Sequence, residues 1–423
     1  MKLLVVGSGG REHAVIRKLK ENKEIEKIYC APGNGGISAD AECVDIKATD
    51  KENMVKFAKE NAIDFCVVTP DDPLALGMVD VMEEAGIPCF GPKANAAIIE
   101  ASKAFSKDLM KKYGIPTADY ETFDNEKEAL HYIEEKNTFP IVIKADGLAL
   151  GKGVLICETL DDAKAALREM MVDHVFGLSG NKVVVEEFMT GKEVSVLAFT
   201  DGNVVKPMIS SMDHKRAYDN DEGLNTGGMG TIAPSPYYTK EIAETCMETI
   251  FLPTVKAMNT EGRTFKGCLY FGLMLTPKGP RVVEYNCRFG DPETQVVLPL
   301  LNSDLFTIMK ACHDGTLKDV DVVWSDEACA CVVEASGGYP VKYEKGFEIH
   351  GLDENGQHDG VIVYHAGTKK ENGKFYTNGG RVLGITAKGA TLQDALDQAY
   401  AAVKEIGFDK MHYRTDIGKN RRK

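Results

Sequence analysis

The sequence predicts an α/β fold (α+β overall) that begins with an open parallel sheet and ends in a small mixed unit. Over residues 1–102, short apolar runs alternate with amphipathic stretches, which is the pattern of a parallel sheet with helices on both faces. From about residue 120 several strand-like runs follow one another and favour antiparallel pairing. Strands, turns and a final helix follow Trp324. The predicted domains are therefore 1–102, 103–327 and 328–423.

The first of these domains has five predicted strands separated by predicted helices. The strands are apolar runs rich in β-branched residues: "KLLVV", "IEKIYCA", "ECVDI", "IDFCVV" and "IPCFG". The stretches between them predict helices over 11–22, 50–61, 74–86 and 93–101. The polar segments "PGNGG" and "TPDDPLALG" follow two of the strands, at the sheet edge where ligands bind in open parallel sheets.

The middle of the chain is predicted to contain one antiparallel sheet and one long loop. The runs "KVVVEEF", "EVSVLAFTDG" and "NVVKPMIS" are consecutive strands that we expect to pair. Residues 211–235 are polar and rich in glycine, and loops of that length in compact domains are usually functional or disordered. A helix over 238–258 and long strands over 267–277 and 281–288 are expected next.

The composition is that of an ordinary globular protein of 423 residues, with 43% hydrophobic and 27% charged residues. Lys and Arg number 50 against 64 Asp and Glu, so the formal charge is −14. Because binders of nucleic acid or acidic membranes need a basic face, we expect neither partner. No apolar run reaches the ~20 residues that span a bilayer.

The eleven cysteines are scattered through apolar runs, and no C-x-x-C pair occurs among them. This spacing argues against a disulfide framework and against a structural zinc site. Reduced, buried thiols in a long chain without a recognisable signal peptide are typical of a cytoplasmic protein. We therefore expect a cytoplasmic location.

The segment "VVGSGGREHA" lies at the first strand-to-helix turn, where backbone amides and a helix N-terminus favour an anion. A dinucleotide fingerprint needs G-x-G-x-x-G and an acidic residue that ends the second strand. Glu12 stands where the third glycine is required, and the second strand runs into "APGNGG" without a carboxylate. The turn therefore favours a phosphate over NAD, and a tight turn that needs glycine only for its backbone is the alternative.

The segment "KADGLALGKGV", residues 144–154, joins two predicted strands through a glycine-rich hairpin. It is not a P-loop, because three residues instead of four separate Gly147 from Gly151 and a glycine follows Lys152. We expect a flexible flap whose amides and Lys152 close over phosphates, with a second charge from Lys144. A purely structural hairpin is the alternative.

Paired acidic residues end the strand-like run in "VVVEEFMTGKEV". A solvated surface charge run is the default interpretation of Glu186 and Glu187. The alternative is a hinge whose backbone binds a purine edge while Glu193 accepts hydrogen bonds from ribose hydroxyls. This segment alone does not decide between the two.

The segment "VVEYNCRFGDPETQ" carries the strongest functional signal. Alternate residues of a strand face the same side, so Glu284, Asn286 and Arg288 are expected on one face and Cys287 on the other. Carboxylate and amide oxygens suit Mg²⁺ or Mn²⁺ with substrate phosphates, and an arginine can neutralise a transferring phosphoryl group. A strand end that is simply exposed to solvent is the alternative.

In this order, the glycine-rich flap, the paired glutamates and the E-x-N-x-R strand resemble ATP-grasp enzymes. Further segments resemble the phosphoribosylamine–glycine ligase family, also called the glycinamide ribonucleotide synthetases: "GSGGREHA", "GPKANAAIIEASKAFSKDLM", "DHKRAYD", "NTGGMG", "ASGGYP", "HAGTK" and "TNGGRVL". The resemblance covers essentially the whole chain. It implies an N-terminal substrate-binding sheet domain, a central two-lobed ATP-grasp unit with a flap lobe at about 120–190, and a C-terminal domain.

The resemblance also implies a reaction, the ATP-dependent ligation of glycine to 5-phosphoribosylamine in de novo purine biosynthesis. The products would be glycinamide ribonucleotide, ADP and phosphate, with a glycyl phosphate as intermediate. We expect a monomer that uses ATP, Mg²⁺ or Mn²⁺, and small-molecule substrates only. Another ATP-grasp carboxylate–amine ligase of purine metabolism is the alternative.

Position by position, the resemblance implies a role for each matching residue. Three lysines would hold the ATP phosphates: Lys103, Lys144 and Lys152. The nucleoside pocket would be lined by Glu186, Glu187, Phe188 and Glu193. The metal ligands would be Glu284 and Asn286, with Arg288 on the transferring phosphate. The glycine would be surrounded by Asp213, Lys215, Arg216 and Asp291. Phosphoribosylamine would contact Gly9, Gly10, Arg11, Asn34 and Arg381. The catalytic group would comprise Arg288, Lys144, Lys152, Asp213 and Asp291.

Two departures from the family pattern bear on these roles. The family usually has "GPEAPL" where this chain has "TPDDPL", so Asp71 replaces a longer glutamate beside the expected sugar site. Many ATP-grasp enzymes carry an acidic metal ligand on the strand before E-x-N, whereas "CLYFGLMLTP" contains no acid here. We therefore expect water and phosphates to complete the metal coordination.

Overall fold

The computed structural model describes residues 1–148 and 153–419, and it opens with a five-stranded parallel sheet of order β3-β2-β1-β4-β5. Its strands are β1 (Lys2–Gly7), β2 (Lys27–Pro32), β3 (Glu42–Cys43), β4 (Phe65–Val68) and β5 (Cys89–Phe90). The helices of this unit are α1 (Gly10–Leu19), α2 (Lys51–Glu60), α3 (Asp71–Ala75), α4 (Met78–Glu84) and α5 (Ala94–Ala101). The order reverses direction between β1 and β4, which is the place where open parallel sheets bind ligands.

The prediction of one continuous helix over 74–86 is wrong. Two helices, α3 and α4, occupy this stretch because Gly77 between them has a φ of 86°, a left-handed conformation that ends one helix before the next begins. Helices cover both faces of the sheet, as predicted. Leu3 and Val5 pack in a core with α1, while Leu4 and Val6 pack in the opposite core with α2 and α4.

A small lobe follows helix α6 (Lys103–Tyr113) and contains a four-stranded antiparallel sheet of order β6-β9-β7-β8. Its strands are β6 (Tyr120–Phe123), β7 (Ile141–Ala145), β8 (Val154–Cys157) and β9 (Val183–Glu187). Helices α7 (Glu126–Lys136) and α8 (Leu160–Leu167) cover one face, and a π-helical turn (Arg168–Val172) extends α8. The lobe has its own core, separate from that of the large lobe.

The large lobe contains a second antiparallel sheet, of order β11-β10-β16-β17. Its strands are β10 (Lys192–Thr200), β11 (Val205–Pro207), β16 (Gly267–Thr276) and β17 (Gly279–Asn286). Its helices are α9 (Lys240–Cys246) and α10 (Leu252–Thr260), joined by a π-helical turn, and then α11 (Thr294–Val297) and α12 (Leu305–Asp314). The expectation that β9 and β10 share a sheet is wrong, because residues 188–191 carry the chain from one lobe to the other.

The C-terminal sheet has six strands, of order β12-β15-β18-β22-β19, with β23 paired to β18. These are β12 (Met212–Asp213), β15 (Gly230–Ala233), β18 (Ala328–Ser336), β19 (Ile362–His365), β22 (Arg381–Gly389) and β23 (Met411–His412). Two hairpins accompany it: β13 (Arg216–Tyr218) with β14 (Glu222–Asn225), and β20 (Thr368–Glu371) with β21 (Lys374–Thr377). Helix α13 (Leu392–Val403) packs on the sheet.

The expectation of a loop over 211–235 is wrong, since this segment contributes four short strands. Two of them, β12 and β15, extend the C-terminal sheet, with Thr231 opposite Cys331. The sheet therefore crosses the predicted boundary between residues 327 and 328, which stays a prediction.

Each of the eleven cysteines is a free thiol, and ten are buried. Among the described helices, none is long and apolar enough to cross a membrane.

Candidate active site

One large cavity lies where the two lobes, the N-terminal unit and the C-terminal sheet meet. Its volume is about 1310 Å³, above the ~300–1,000 Å³ of an ordinary small-molecule pocket, so it has room for more than one substrate. It is lined by most of the site residues predicted from sequence: Arg11, Lys103, Lys144, Glu186, Glu187, Phe188, Glu193, Asp213, Lys215, Arg216, Glu284, Asn286, Arg288, Asp291 and Arg381. Gly9, Gly10 and Asn34 do not line it, and Lys152 lies outside the described residues.

The end of β17 presents its polar side chains to this cavity on one face. Asn286 Oδ1 lies 3.4 Å from Arg288 Nη2, which places the two side chains together. Cys287 between them is buried in the hydrophobic core instead. Opposite Glu284 the neighbouring strand has Gly272, where a Cβ would come within 3.1 Å of the glutamate side chain. A larger residue there would crowd Glu284.

Glu284 is an anion surrounded by cations. Its Oε1 lies 3.6 Å from Lys215 Nζ, and the same ammonium lies 3.4 Å from Glu193 Oε2. Enclosure in the cavity favours the neutral acid, but Lys215, Lys144 and Lys103 outweigh it and hold the pKa of Glu284 below its usual value. The carboxylate is therefore ionised at neutral pH, as a metal ligand must be.

The donor set at β17 fits a magnesium ion that shares its ligands with a substrate. Glu284 and Asn286 supply hard oxygen donors beside open space in the cavity. Within residues 1–148 and 153–419 there is no cluster of three or more His, Cys, Asp or Glu side chains that could hold a metal ion. Mg²⁺ is commonly bound by one or two protein carboxylates plus phosphates and water, so two protein donors suffice.

A buried group of two lysines and one glutamate forms the cationic wall of the cavity. Glu186 Oε2 lies 3.0 Å from Lys144 Nζ, and its Oε1 lies 3.3 Å from Lys107 Nζ. Lys107 also donates to Thr117 Oγ1 at 2.8 Å. Burial lowers the pKa of Lys107 to about 8, against the attraction of Glu186. Two cations on one carboxylate leave a net positive charge, which suits a polyphosphate.

Helix α6 holds the base of the predicted flap. Asp146 Oδ1 accepts hydrogen bonds from Ser102 Oγ and from the backbone N–H of Ala104, both at 3.0 Å, and so caps the helix. Lys103 Nζ donates to the Gly147 carbonyl at 2.7 Å. These bonds attach the flap base to the helix that carries two of the cavity lysines.

Another part of the cavity wall, formed by Asp213 and Glu293, is acidic. Glu293 Oε1 accepts hydrogen bonds from Tyr270 Oη at 2.8 Å and from Ser195 Oγ at 3.4 Å. Burial and the charge of Glu293 raise the pKa of Asp213 well above its usual value. The negative charge of Glu293 thus disfavours ionisation of Asp213, in addition to the effect of burial.

Arg381 and Asp291 connect the C-terminal sheet to the turn after β17. Arg381 Nη1 donates to the carbonyls of Asp291 and Gly227, each at 2.8 Å, and its Nη2 lies 3.5 Å from Asp291 Oδ2. Burial raises the pKa of Asp291, but Arg381 and Arg11 outweigh it and hold it below the usual range. Arg381 thus already binds protein groups on the side where a substrate phosphate was predicted.

At the first turn, where the sequence predicted a phosphate, the Glu12 carboxylate binds one backbone amide and two side chains. Its Oε2 accepts from the Gly9 N–H at 2.6 Å, and its Oε1 accepts from Thr69 Oγ1 at 2.7 Å and Arg11 Nε at 2.5 Å. A carboxylate at a helix N-terminus can bind a backbone amide that a bound anion would otherwise use. Glu12 thus has a structural role at the position where the dinucleotide fingerprint has glycine.

Asn34 makes a structural set of hydrogen bonds instead of facing the cavity. Its amide nitrogen donates to the carbonyls of Ser8 and His365, each at 2.8 Å. Its Oδ1 accepts from the N–H groups of Gly36 and Ile37. These bonds join the N-terminal turn to the C-terminal sheet behind the cavity wall.

Comparison with known sequences identifies the family. Sequence models of phosphoribosylglycinamide synthetase match as the N domain at residues 1–100, the ATP-grasp (A) domain at 101–294 and the C domain at 329–420. The phosphoribosylamine–glycine ligase of Caldanaerobacter subterraneus subsp. tengcongensis is 50% identical over 417 residues, 99% of each chain. That of Clostridium acetobutylicum is 48% identical over 421 residues, 100% of each chain. The chain belongs to the phosphoribosylglycinamide synthetase family.

Solved structures agree with this membership of the phosphoribosylglycinamide synthetase family. The phosphoribosylamine–glycine ligase of Thermotoga maritima is 33% identical, with a TM-score of 0.86 over 99% of this chain and 100% of that one. The biotin carboxylase domain of the Hydrogenobacter thermophilus 2-oxoglutarate carboxylase has a TM-score of 0.74 at 19% identity, over 97% and 91% of the two chains. The second likeness shows the fold alone, and together they confirm the predicted fold class.

Sequence analysis of this phosphoribosylglycinamide synthetase family member missed three groups in the cavity wall. Lys107 lies one turn after Lys103 on α6, and that spacing of four residues was a signal that it shares the helix face. Glu293 belongs to the quoted "GDPETQ" turn but received no role. Glu100 lies in the last turn of α5, and no local pattern distinguishes it from a surface glutamate.

Proposed function

We propose that this chain is a phosphoribosylamine–glycine ligase, which joins glycine to 5-phosphoribosylamine with ATP and releases glycinamide ribonucleotide, ADP and phosphate. The reaction would belong to de novo purine biosynthesis. Relatives of that name match the chain from end to end. The observation that carries the proposal is that one cavity combines four cationic side chains with two acidic ones beside Glu284 and Asn286. The cations are Lys103, Lys107, Lys144 and Arg288, and the acids are Asp213 and Glu293.

The first chemical step would transfer the γ-phosphoryl group to glycine. A glycine carboxylate oxygen forms a bond to the γ-phosphorus while the bond from phosphorus to the ADP oxygen breaks, which yields glycyl phosphate and ADP. The reacting groups are both anions, so cations must offset their repulsion. Lys144 and Arg288 border the cavity for this purpose, and the predicted flap with Lys152 would exclude water. Glu284 and Asn286 would hold a Mg²⁺ or Mn²⁺ ion, which supplies further neutralisation at the phosphates.

The second step would form the amide bond. The amine of phosphoribosylamine attacks the acyl carbon, the carbon–oxygen bond to phosphate breaks, and the nitrogen loses a proton. The acidic wall suits both amines of the reaction, because a carboxylate attracts the ammonium of glycine and the Asp213–Glu293 pair can take up a proton. Arg11 lies at the edge of the cavity on the N-terminal side and is assigned to the sugar substrate.

The remaining assignments are the oligomeric state and the cellular location. We infer a monomer, as the family resemblance leads us to expect. A cytoplasmic location is supported by free thiols at all eleven cysteines, since oxidising compartments favour disulfides.

One assay tests the proposal directly. Phosphate release from ATP is measured with Mg²⁺, glycine and phosphoribosylamine, then with each omitted in turn, and the product mass is determined. We expect release to require glycine and the product to have the mass of glycinamide ribonucleotide. Release that continues without glycine would refute the proposal, and a product from a different amino acid would favour another carboxylate–amine ligase.

A further inference from the structure

Glu100 binds two consecutive residues at the end of β17 through one buried carboxylate. Its Oε2 accepts from the backbone N–H of Cys287 at 2.7 Å. Its Oε1 lies 3.0 Å from Arg288 Nη2, and the glutamate side chain is only 8% exposed. The backbone and the guanidinium of the E-x-N-x-R strand are thus held by the same group.

These contacts determine how the planar guanidinium of Arg288 is oriented. Its Nη2 is held by Glu100 and lies 3.4 Å from Asn286 Oδ1, while Nη1 donates to the Phe289 carbonyl at 3.2 Å. Its Nε is buried and has no acceptor among the described residues. Because the group is rigid and planar, fixing both terminal nitrogens also fixes the direction of Nε. The contacts of the two terminal nitrogens therefore set the orientation of the Arg288 guanidinium in the cavity wall.

Other anions compete for Arg288 if Glu100 is removed. The charges of Asp71 and Glu293 also act on the arginine, from α3 and from the acidic wall. Removing one partner of a buried ion pair leaves the other charge uncompensated, so it moves towards the next available partner. Without Glu100 we therefore expect Arg288 to turn away from the phosphate side of the cavity.

We propose that Glu100 is a positioning residue for phosphoryl transfer, which orients Arg288 and the end of β17 towards the transferring phosphate. This inference rests on the proposed function. Glu100 is the last residue of the region matched by the N-domain model, whereas Arg288 lies in the region matched by the ATP-grasp model. The N-terminal unit, expected to bind the sugar substrate, would thereby also contribute to the phosphoryl-transfer site.

The test is a double-mutant cycle of Glu100→Gln and Arg288→Ala, assayed by glycine-dependent ADP formation. Glutamine keeps the size of the side chain and can still accept from Cys287 N–H, but it loses the charge that orients the arginine. We expect Glu100→Gln to lower kcat roughly 10- to 100-fold with less than about 3-fold change in KM for ATP. When Arg288→Ala is already present, adding Glu100→Gln should lower kcat by less than about 3-fold, because the arginine through which Glu100 acts is absent. Independent, multiplying effects would overturn the inference.

Two further variants separate positioning from folding. Glu100→Asp retains the charge and should recover at least about 3-fold of the kcat lost in Glu100→Gln, and no recovery would count against positioning. Glu334→Gln is the matched control, a buried carboxylate on β18 that does not line the cavity, and its kcat should stay within about 2-fold of wild type. A loss of kcat in Glu334→Gln as large as that in Glu100→Gln would overturn the inference, because it would show that any change to a buried carboxylate lowers turnover. A wild-type protein without glycine-dependent turnover would instead refute the proposed function.

Discussion

Glu186 Oε2 lies 3.0 Å from Lys144 Nζ in the cavity wall, and both side chains of this ion pair are buried. The same carboxylate also compensates Lys107. Glu186 therefore keeps two cations together next to the cavity, besides any contact it makes with a nucleoside.

The first prediction concerns this buried pair. Glu186→Ala should lower the free energy of unfolding by about 3–5 kcal/mol, because two buried ammonium groups lose their counter-ion. The neighbouring Glu187 is the control, since it is exposed and pairs with Arg281 at the surface. Glu187→Ala should cost less than about 1 kcal/mol. Denaturant unfolding of both variants measures the difference, and equal losses would contradict the role given to Glu186.

The second prediction concerns the pH dependence that Lys107 contributes. Its pKa is lowered to about 8 by burial, so the folded state binds fewer protons than the unfolded state between pH 8 and the ordinary lysine pKa. The cost of burying the charge is present below pH 8 and is relieved as the pH rises above it. Relative to Lys107→Met, wild type should gain roughly 1 kcal/mol between pH 8 and 9. A pH-independent difference in unfolding free energy would disprove this.

The third prediction concerns the metal ligands. Glu284→Ala and Asn286→Ala should each lower kcat by about 100-fold or more at saturating Mg²⁺, while the thermal unfolding midpoint changes little. Cys287→Ala is the control on the same strand, because its side chain packs in the core and touches no reacting group. Its kcat should stay within about 3-fold of wild type. Normal turnover in both ligand variants would remove the metal assignment.

The fourth prediction concerns the sugar substrate. Arg11→Ala should raise KM for phosphoribosylamine by about 10-fold or more and leave KM for ATP unchanged, because Arg11 lines the cavity on the N-terminal side. Arg17 on the same helix pairs with Asp40 outside the cavity and serves as the control. Arg17→Ala should change neither constant. An unaltered KM for the sugar in Arg11→Ala would exclude this role.

The fifth prediction concerns Glu334, whose carboxylate is buried with no hydrogen-bond partner among the described residues for either oxygen. Burial raises its pKa well above the usual value, because the charged form loses its hydration in the core. Its contribution to stability is present below the unfolded pKa of ~4.3 and is lost as the pH rises. Glu334→Met should therefore stabilise the protein by about 1–3 kcal/mol at pH 7 and less at pH 5. Unfolding free energies at the two pH values provide the test.

Much of the fold was predictable because apolar periodicity reports which residues are buried. The parallel sheet, the flap strands and β17 were all expected from such runs. Which strands pair with each other was harder to predict, as β9 and β10 show, because these two lie in different sheets. The alternation of apolar and polar residues shows which face of a strand is buried but does not identify the neighbouring strand. The segment 211–235 shows the same limit, since short polar strands such as β12 are stabilised by backbone bonds to a distant sheet.

The sequence by itself determined the family and the types of side chain in the site. The E-x-N-x-R strand and the glycine-rich segments can be recognised without coordinates. The tertiary structure alone decided which groups meet. Glu100 reaches Arg288 across 188 positions of the chain, and Lys107 reaches Glu186 across 79. The physical reason is that ion pairs and burial depend on distance in space, and that distance follows from packing between domains instead of from local pattern.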